Sequence, residues 1–140
     1  FSLILIVVFL IWARASLVVF ALFYSGAIPT MADMFRHVIA TWQIDFLLAY
    51  FFVGALFSLL AFAFSVVSVP LMLDRKVDAI TAVIASVRTL LANPAPMLVW
   101  AGLIALLGML GLVTLLIGIL FIGPLLGHAT WHAYRDLIEK

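Results

Sequence analysis

A chain of 140 residues that is 69% hydrophobic and 9% charged, with a mean hydropathy of +1.41, has too little polar surface to fold in water, where domains run about 45–50% apolar and about 25% charged. Its net charge of +1 excludes a strongly basic nucleic-acid binder, and no basic patch interleaved with aromatics marks a single-strand groove. The absence of cysteine excludes disulfide frameworks, thiolate nucleophiles, iron–sulfur clusters and thiolate-held zinc.

The expected fold class is all-α. Residues 1–140 read as a single membrane domain, a polytopic transmembrane helical bundle with two long spans, a cytoplasmic amphipathic interfacial helix and a C-terminal helical hairpin. The chain opens at Phe1 inside an apolar run, with no charged n-region and no small-residue cleavage site. It is therefore read as part of a longer polypeptide with further spans upstream, and a cleavable signal peptide does not explain its start.

Residues 1–28 form the first span, since about 20 apolar residues cross the hydrocarbon core. Arg14 falls near its middle, where a guanidinium costs at least about 2.5 kcal/mol. It is expected to face protein or water. An anion site or a charge partner on a neighbouring subunit is one reading; satisfaction by carbonyls or a carboxylate of the same bundle, or snorkelling, is the other. After Pro29, the segment to Asp45 with Asp33, Arg36, His37 and Trp42 suits a short interfacial helix. Tyr24 and Trp42 are its belt residues, and His37 reads as solvated.

Residues 46–72 form the second, uncharged span. Gly54, Ser58, Ala61, Ser65 and Ser68 recur at steps of four, three, four and three, a seam of small residues on one face. Lipid supplies no hydrophobic drive between helices, so such seams are where backbones approach closely. The seam is expected to pack on another helix of this chain or on a foreign subunit. Pro70 kinks or closes the span just before the charges begin.

The stretch PLMLDRKVDAITAVIASVRTLLANP is both charged and periodic. Val77, Ile80, Ile84, Val87 and Leu91, widened by Val83 and Leu90, share one helical face, while Asp74, Arg75, Lys76, Asp78 and Arg88 lie at or near the ends. This predicts a membrane-surface helix over about 74–92. Asn93-Pro94-Ala95-Pro96 then breaks it. From Met97 to Gly127 there is no charge. A single helix there would measure about 45 Å, too long for a core of about 30 Å. A hairpin turning between Gly108 and Gly118, with spans at 96–113 and 115–134, is expected instead.

Lysine and arginine number three between Leu73 and Pro94, one between Pro29 and Asp45, and two after Gly127. The positive-inside rule places 74–94 in the cytoplasm, and a hairpin returns the C-terminus to the same side. Trp100, Trp131 and Tyr134 would then mark the inner interface.

In the final stretch GHATWHAYRDLIEK, His128, His132 and Asp136 follow an i, i+4, i+8 spacing. Imidazole and carboxylate are ordinary ligands of zinc, iron or manganese, so these three are the candidate metal ligands. A single stripe cannot easily surround an ion, and the alternative is an interfacial stripe with Asp136 paired to His132. No phosphate loop, G-x-S-x-G elbow or H-E-x-x-H is present, so no catalytic residue is assigned.

The stretches SVVSVPLMLDRKVDAITAVIASVRTLLANPAPMLVW and GHATWHAYRDLI make residues from about Phe46 to Ile138 resemble the C-terminal portion of an uncharacterised family of bacterial integral membrane proteins, a domain of unknown function. The sharpest motifs are Ser68-Val69-Pro70 through Asp74-Arg75, Ala92-Asn93-Pro94 and Gly127 to His132. The resemblance implies a multi-helix membrane domain in the bacterial inner membrane and respiratory or photosynthetic company, because some members are labelled cytochrome c oxidase subunits. Three histidines, His37, His128 and His132, are too few for two haems and a copper, which excludes the catalytic subunit.

The expected function is therefore a non-catalytic accessory subunit or assembly factor of a bacterial respiratory or photosynthetic complex, contacting other transmembrane subunits through Arg14, the Gly54 to Ser68 seam or the surface helix. A small-solute or ion transporter, or a metal- or haem-binding membrane protein, is the alternative. No cofactor is identified, lipid is expected to be bound, and no nucleic-acid partner is expected.

Overall fold

The computed structural model describes residues 1–23, 30, 32, 44–114 and 116–138. Among these residues every regular element is helical: α1 (Ser2–Phe23), α2 (Ile44–Ser65), α3 (Ser68–Asp74), α4 (Ala79–Ala92), α5 (Pro94–Val113) and α6 (Ile117–Ile138). The interfacial segment expected between Pro29 and Asp45, with His37 and Trp42, lies outside the described residues except at Thr30, Ala32 and the start of α2. The chain divides into two compact units, residues 2–60 and residues 61–140 together with Phe1.

Three stretches are long and apolar enough to cross a membrane: Ser2–Phe23, Ile44–Asp74 and Pro94–Val113. Only 6%, 17% and 11% of their most apolar windows are buried within the chain. Helices this apolar and this uncovered require a hydrocarbon solvent, since water would leave Leu22, Phe52 and Val113 unsheltered. Helix α6 is long but falls outside this group; Pro124, His128 and His132 dilute its apolar content.

Among the described residues of the first unit, Val19 and Phe46 are the buried apolar side chains. Phe46 sits edge-on to Phe20 and Phe23, with centroids 6.5 and 5.7 Å away, and tilted against Tyr50 at 5.8 Å. Aromatic rings prefer such geometries to face-to-face stacking. The end of α1 is thereby fastened to the beginning of α2.

The second unit is organised by a break. Helix α2 ends at Ser65, Val66 and Val67 form a turn, and α3 begins at Ser68. Pro70 explains its position: the ring crowds the carbonyl four residues earlier, that of Val66, and supplies no N–H to the ladder. The sequence placed the kink at the proline, whereas the backbone yields one turn before it. Hydroxyls bond the carbonyls leading into the break. Ser65 Oγ donates to the Ala61 carbonyl at 2.6 Å, and Ser68 Oγ donates to that of Phe64.

The amphipathic helix begins at Ala79, five residues later than its charge pattern suggests. Arg75 turns extended after α3, and Asp78 caps α4 by accepting from the Thr81 backbone N–H at 3.0 Å and the Thr81 hydroxyl at 2.6 Å. These bonds hold the Asp78 carboxyl below its ordinary value of 3.8. Because the folded value is the depressed one, the cap contributes fully above pH 3.8 and is lost as pH falls through the lower folded value. Circular dichroism in detergent should show helix content falling in that acid range, and Asp78→Asn, which caps without titrating, should remove that component of the fall.

Helix α4 packs its small face inward. Ala82 and Ser86 are fully buried, whereas Ile80, Ile84 and Leu91 are 68%, 47% and 70% exposed. Ile80, Ile84 and Leu91 of the apolar stripe read from the sequence are thus turned away from the protein, on the side a membrane-surface helix presents to lipid, while Val77 and Leu90 at its edges pack against the core. Asn93 closes α4 through its N–H to the Leu90 and Thr89 carbonyls, and Pro94 starts α5 at once. Proline suits a first helical turn, where its missing N–H has no partner to lose.

The expected hairpin is present, its arms ending at Val113 and beginning again at Ile117. Thr114 Oγ1 bonds the carbonyls of Leu110 and Gly111 at 3.0 Å each and accepts from the Gly118 N–H at 3.0 Å, so one hydroxyl serves both helix ends. Leu116 turns the chain with φ of 70° and donates its N–H to Gly111 O at 3.0 Å. Two glycines let the arms close. A Cβ on Gly118 would meet Thr114 Oγ1 and stand 3.2 Å from the Gly111 Cα, while one on Gly111 would stand 2.7 Å from Ile119 Cγ1. Gly118→Ala should therefore lower stability by about 1–3 kcal/mol, read as an earlier thermal midpoint in detergent. Gly123→Ala, which meets open space, should leave the midpoint unchanged or raise it.

Candidate functional site

The core of the second unit gathers where α3, the start of α5 and the end of α6 meet. Val66, Val67, Leu71, Ala82, Met97 and Tyr134 form its buried cluster, and Trp100 and Trp131 pack against it. Tyr134 is 3% exposed and lies 5.6 Å from Trp131, centroid to centroid. The three aromatic residues expected at one interface are thus together, because the hairpin returns the end of α6 beside the start of α5.

Two polar connections tie this cluster. The Ser86 hydroxyl, at 0% exposure, donates to the Ala63 carbonyl at 2.7 Å and accepts from the Val67 N–H at 3.2 Å. Ala63 O and Val67 N are the pair an unbroken helix would join directly. A side chain from α4 has entered the ladder of the kinked segment and restored both halves of the missing bond. The Tyr134 hydroxyl donates to Asp74 Oδ2 at 2.9 Å, and Arg75 Nε lies 3.6 Å from the same oxygen. This joins residues sixty positions apart.

Beside the cluster lies a cavity of 270 Å³. Val66 and Val67 of the turn form one wall, Met97, Val99, Trp100 and Leu103 a second, and Thr130, Ala133, Tyr134 and Asp136 a third. The lining is almost entirely apolar. The exception in its second wall is Trp100, whose Nε1–H is buried and has no acceptor among the described residues. A buried donor without a partner costs about 1–3 kcal/mol, and an apolar hollow with a few polar groups is the usual form of a small-molecule site.

Residues 1–74 match the family described as predicted integral membrane protein (DUF2189). The chain belongs to this family. No curated protein and no solved structure matches it. The DUF2189 match takes in α1 to α3 and ends at Asp74, the carboxylate that Tyr134 engages. Of the motifs carrying the resemblance, Ser68 to Asp74 falls within the matched residues, while Ala92-Asn93-Pro94 and Gly127 to His132 lie beyond them.

The other sequence candidates are distributed through this DUF2189 chain. Arg14 is exposed on α1, and no carboxylate pairs with it among the described residues. Gly54 is half-buried with open space where a Cβ would stand, and Ser58 is exposed; Ala61 and Ser65 are half-buried and Ser68 is fully buried. His128 and His132 are exposed, with His128 Nδ1 3.0 Å from the Pro124 carbonyl, and Asp136 borders the cavity. Among the described residues no three His, Asp or Glu side chains come together as a metal site. Ser86, Trp100 and the Asp74–Tyr134 bond were not singled out as site residues from the sequence. A serine at mid-height of an amphipathic helix, opposite its apolar stripe, is the signal that marks Ser86.

Proposed function

We propose that this integral membrane protein is a non-catalytic transmembrane subunit or assembly factor of a larger bacterial respiratory or photosynthetic complex. The observation that carries the reading is Arg14. It stands thirteen residues into the 22-residue apolar helix α1, exposed and unpaired among the described residues. At that depth a guanidinium without a counter-charge is costly, and a carboxylate or carbonyl array on a neighbouring subunit offsets the cost. The open space beside Gly54 gives a neighbour's backbone room to approach on α2. In this arrangement the protein sits in the inner membrane with residues 74–94 and the C-terminus cytoplasmic, consistent with the clustering of Arg75, Lys76 and Arg88.

Gentle solubilisation followed by affinity purification and mass spectrometry tests this directly. Wild type should bring down a defined set of membrane subunits, Arg14→Ala should lose them, and Arg14→Lys should retain part of the set. Identical co-purification by Arg14→Ala would overturn the reading, as would purification of the wild type alone.

A further inference from the structure

We propose that the α5–α6 hairpin is re-entrant: it enters and leaves the bilayer by one face, and its tip, between Val113 and Ile117, docks into acyl chains instead of emerging into water on the other side. The inference does not rest on the subunit role, which concerns α1 and α2.

Three observations on the hairpin lead to that occupant. The first is what the tip presents. Val113 is 80% exposed, Leu116 58%, Ile117 63% and Leu120 73%, and no charged residue occurs from Met97 to Gly127. The turn between α3 and α4, by contrast, holds Arg75, Lys76 and Asp78. A tip of this composition is unfavourable in water and at home in hydrocarbon, because uncovered apolar area costs about 25 cal/mol per Å².

The second observation is how the turn treats its backbone. A helix start ordinarily leaves its first N–H groups to water, whereas hydrocarbon requires every one of them to be satisfied by the protein. Ile117, Gly118 and Ile119 open α6, and their N–H groups donate to Thr114 O, Thr114 Oγ1 and Leu116 O at 3.2, 3.0 and 3.1 Å. The N–H groups of Thr114 and Leu116 donate to the carbonyls of Leu110 and Gly111 at 3.1 and 3.0 Å. The Thr114 hydroxyl is itself engaged with those same two carbonyls. Each of these donors is therefore satisfied without water.

The third observation is reach. Counted from Pro94, α5 is long enough to cross, but the polar boundary lies further along it. Trp100 and Trp131 pack on the cluster that holds Tyr134, and the Tyr134 hydroxyl is bonded to Asp74 beside the exposed Arg75. That places both indoles at the membrane–water boundary. From Trp100 to Val113, and from Trp131 back to Ile117, each arm advances only about 20 Å at 1.5 Å per residue. The hydrocarbon core is about 30 Å thick, and tilt or the proline inside α6 only shortens the reach. The tip thus stops within the acyl chains of the opposite leaflet.

Site-directed spin labelling tests this in the full chain, whose lack of cysteine allows single labelled sites. Val113→Cys, Ile117→Cys and Lys76→Cys are each nitroxide-labelled in vesicles of phosphatidylethanolamine and phosphatidylglycerol, with oxygen or a water-soluble nickel chelate present on both sides of the membrane. At 113 oxygen should relax the label and the chelate should not; at 76 that order should reverse. Access of the chelate to position 113 would show that the tip emerges into water and would overturn the proposal. So would a label at 113 that neither reagent reaches, because a second copy or another protein would then cover the tip. Ile117→Cys reads the same point from the other arm should Val113→Cys fail to insert, and it is expected to repeat the oxygen-only response.

Discussion

Ser86→Ala is expected to destabilise the second unit by about 1–2 kcal/mol, and Ser86→Leu by about 3 kcal/mol or more. The alanine leaves Ala63 O and Val67 N–H, both inside the protein, without the hydroxyl that bridges them at 2.7 and 3.2 Å. Unsatisfied backbone groups are expensive in a membrane protein because no water reaches them, although measured interhelical bonds in bilayers average only about 0.6 kcal/mol and reach about 1.7. The alanine estimate sits at the upper end because two groups are orphaned together. Leucine adds volume where the exposure is 0%, forcing α4 off the turn. Thermal unfolding in detergent reads both changes. Glycine at position 86 should match alanine or fall slightly below it, since both lack the hydroxyl and glycine further weakens the helix. An alanine variant as stable as wild type would show that the helix break does not need α4.

Removing Tyr134 is expected to have an effect of the same order or larger. Tyr134→Ala deletes a ring that is 3% exposed and packed on Trp131, and buried aromatic truncations cost about 3–5 kcal/mol. Tyr134→Phe keeps the ring and removes only the 2.9 Å bond to Asp74, for about 1 kcal/mol. Separating the two variants tells packing from hydrogen bonding. In a cycle with Asp74→Ala, the two single changes should be non-additive, because each removes the same bond. Additivity would mean that the hydroxyl and the carboxylate act independently. Protease susceptibility near the end of α6 should rise in Tyr134→Ala, since this residue anchors that helix to α3.

Much of the architecture was legible because the bilayer leaves the chain few options. Apolar runs without charge must satisfy their own backbone, so they become helices. Asn93-Pro94 must end one helix and start another, and the charge-free stretch after it is too long for one crossing. The hairpin followed from that arithmetic, and its turn, between Val113 and Ile117, lies inside the range set by Gly108 and Gly118. Gly111 and Gly118 were visible as small residues, but their mutual approach was not: it depends on the angle at which the arms leave the turn.

The candidate cavity was much less legible. Trp100, Trp131 and Tyr134 were assigned to one level from the expected hairpin, yet nothing in that topology tells an indole N–H with a partner from one without. Ser86 lay among Val83, Ile84 and Val87, where the apolar stripe drew attention to the opposite face. The displacement of the kink from Pro70 to Val66-Val67 is another case. Proline signals a break, but the clash it causes lies with a carbonyl one turn back, and the backbone yields there.

Composition and periodicity by themselves determined the solvent and the helical class, because each follows from local transfer free energy or from the 3.6-residue repeat. Only the tertiary structure decided that α4 buries Ala82 and Ser86 instead of its isoleucines, that Asp74 meets Tyr134, and that a hollow remains beside Trp100. Those outcomes depend on which surfaces meet after the break and the hairpin have set their angles, and contacts between residues sixty positions apart leave no mark in a repeat of three or four.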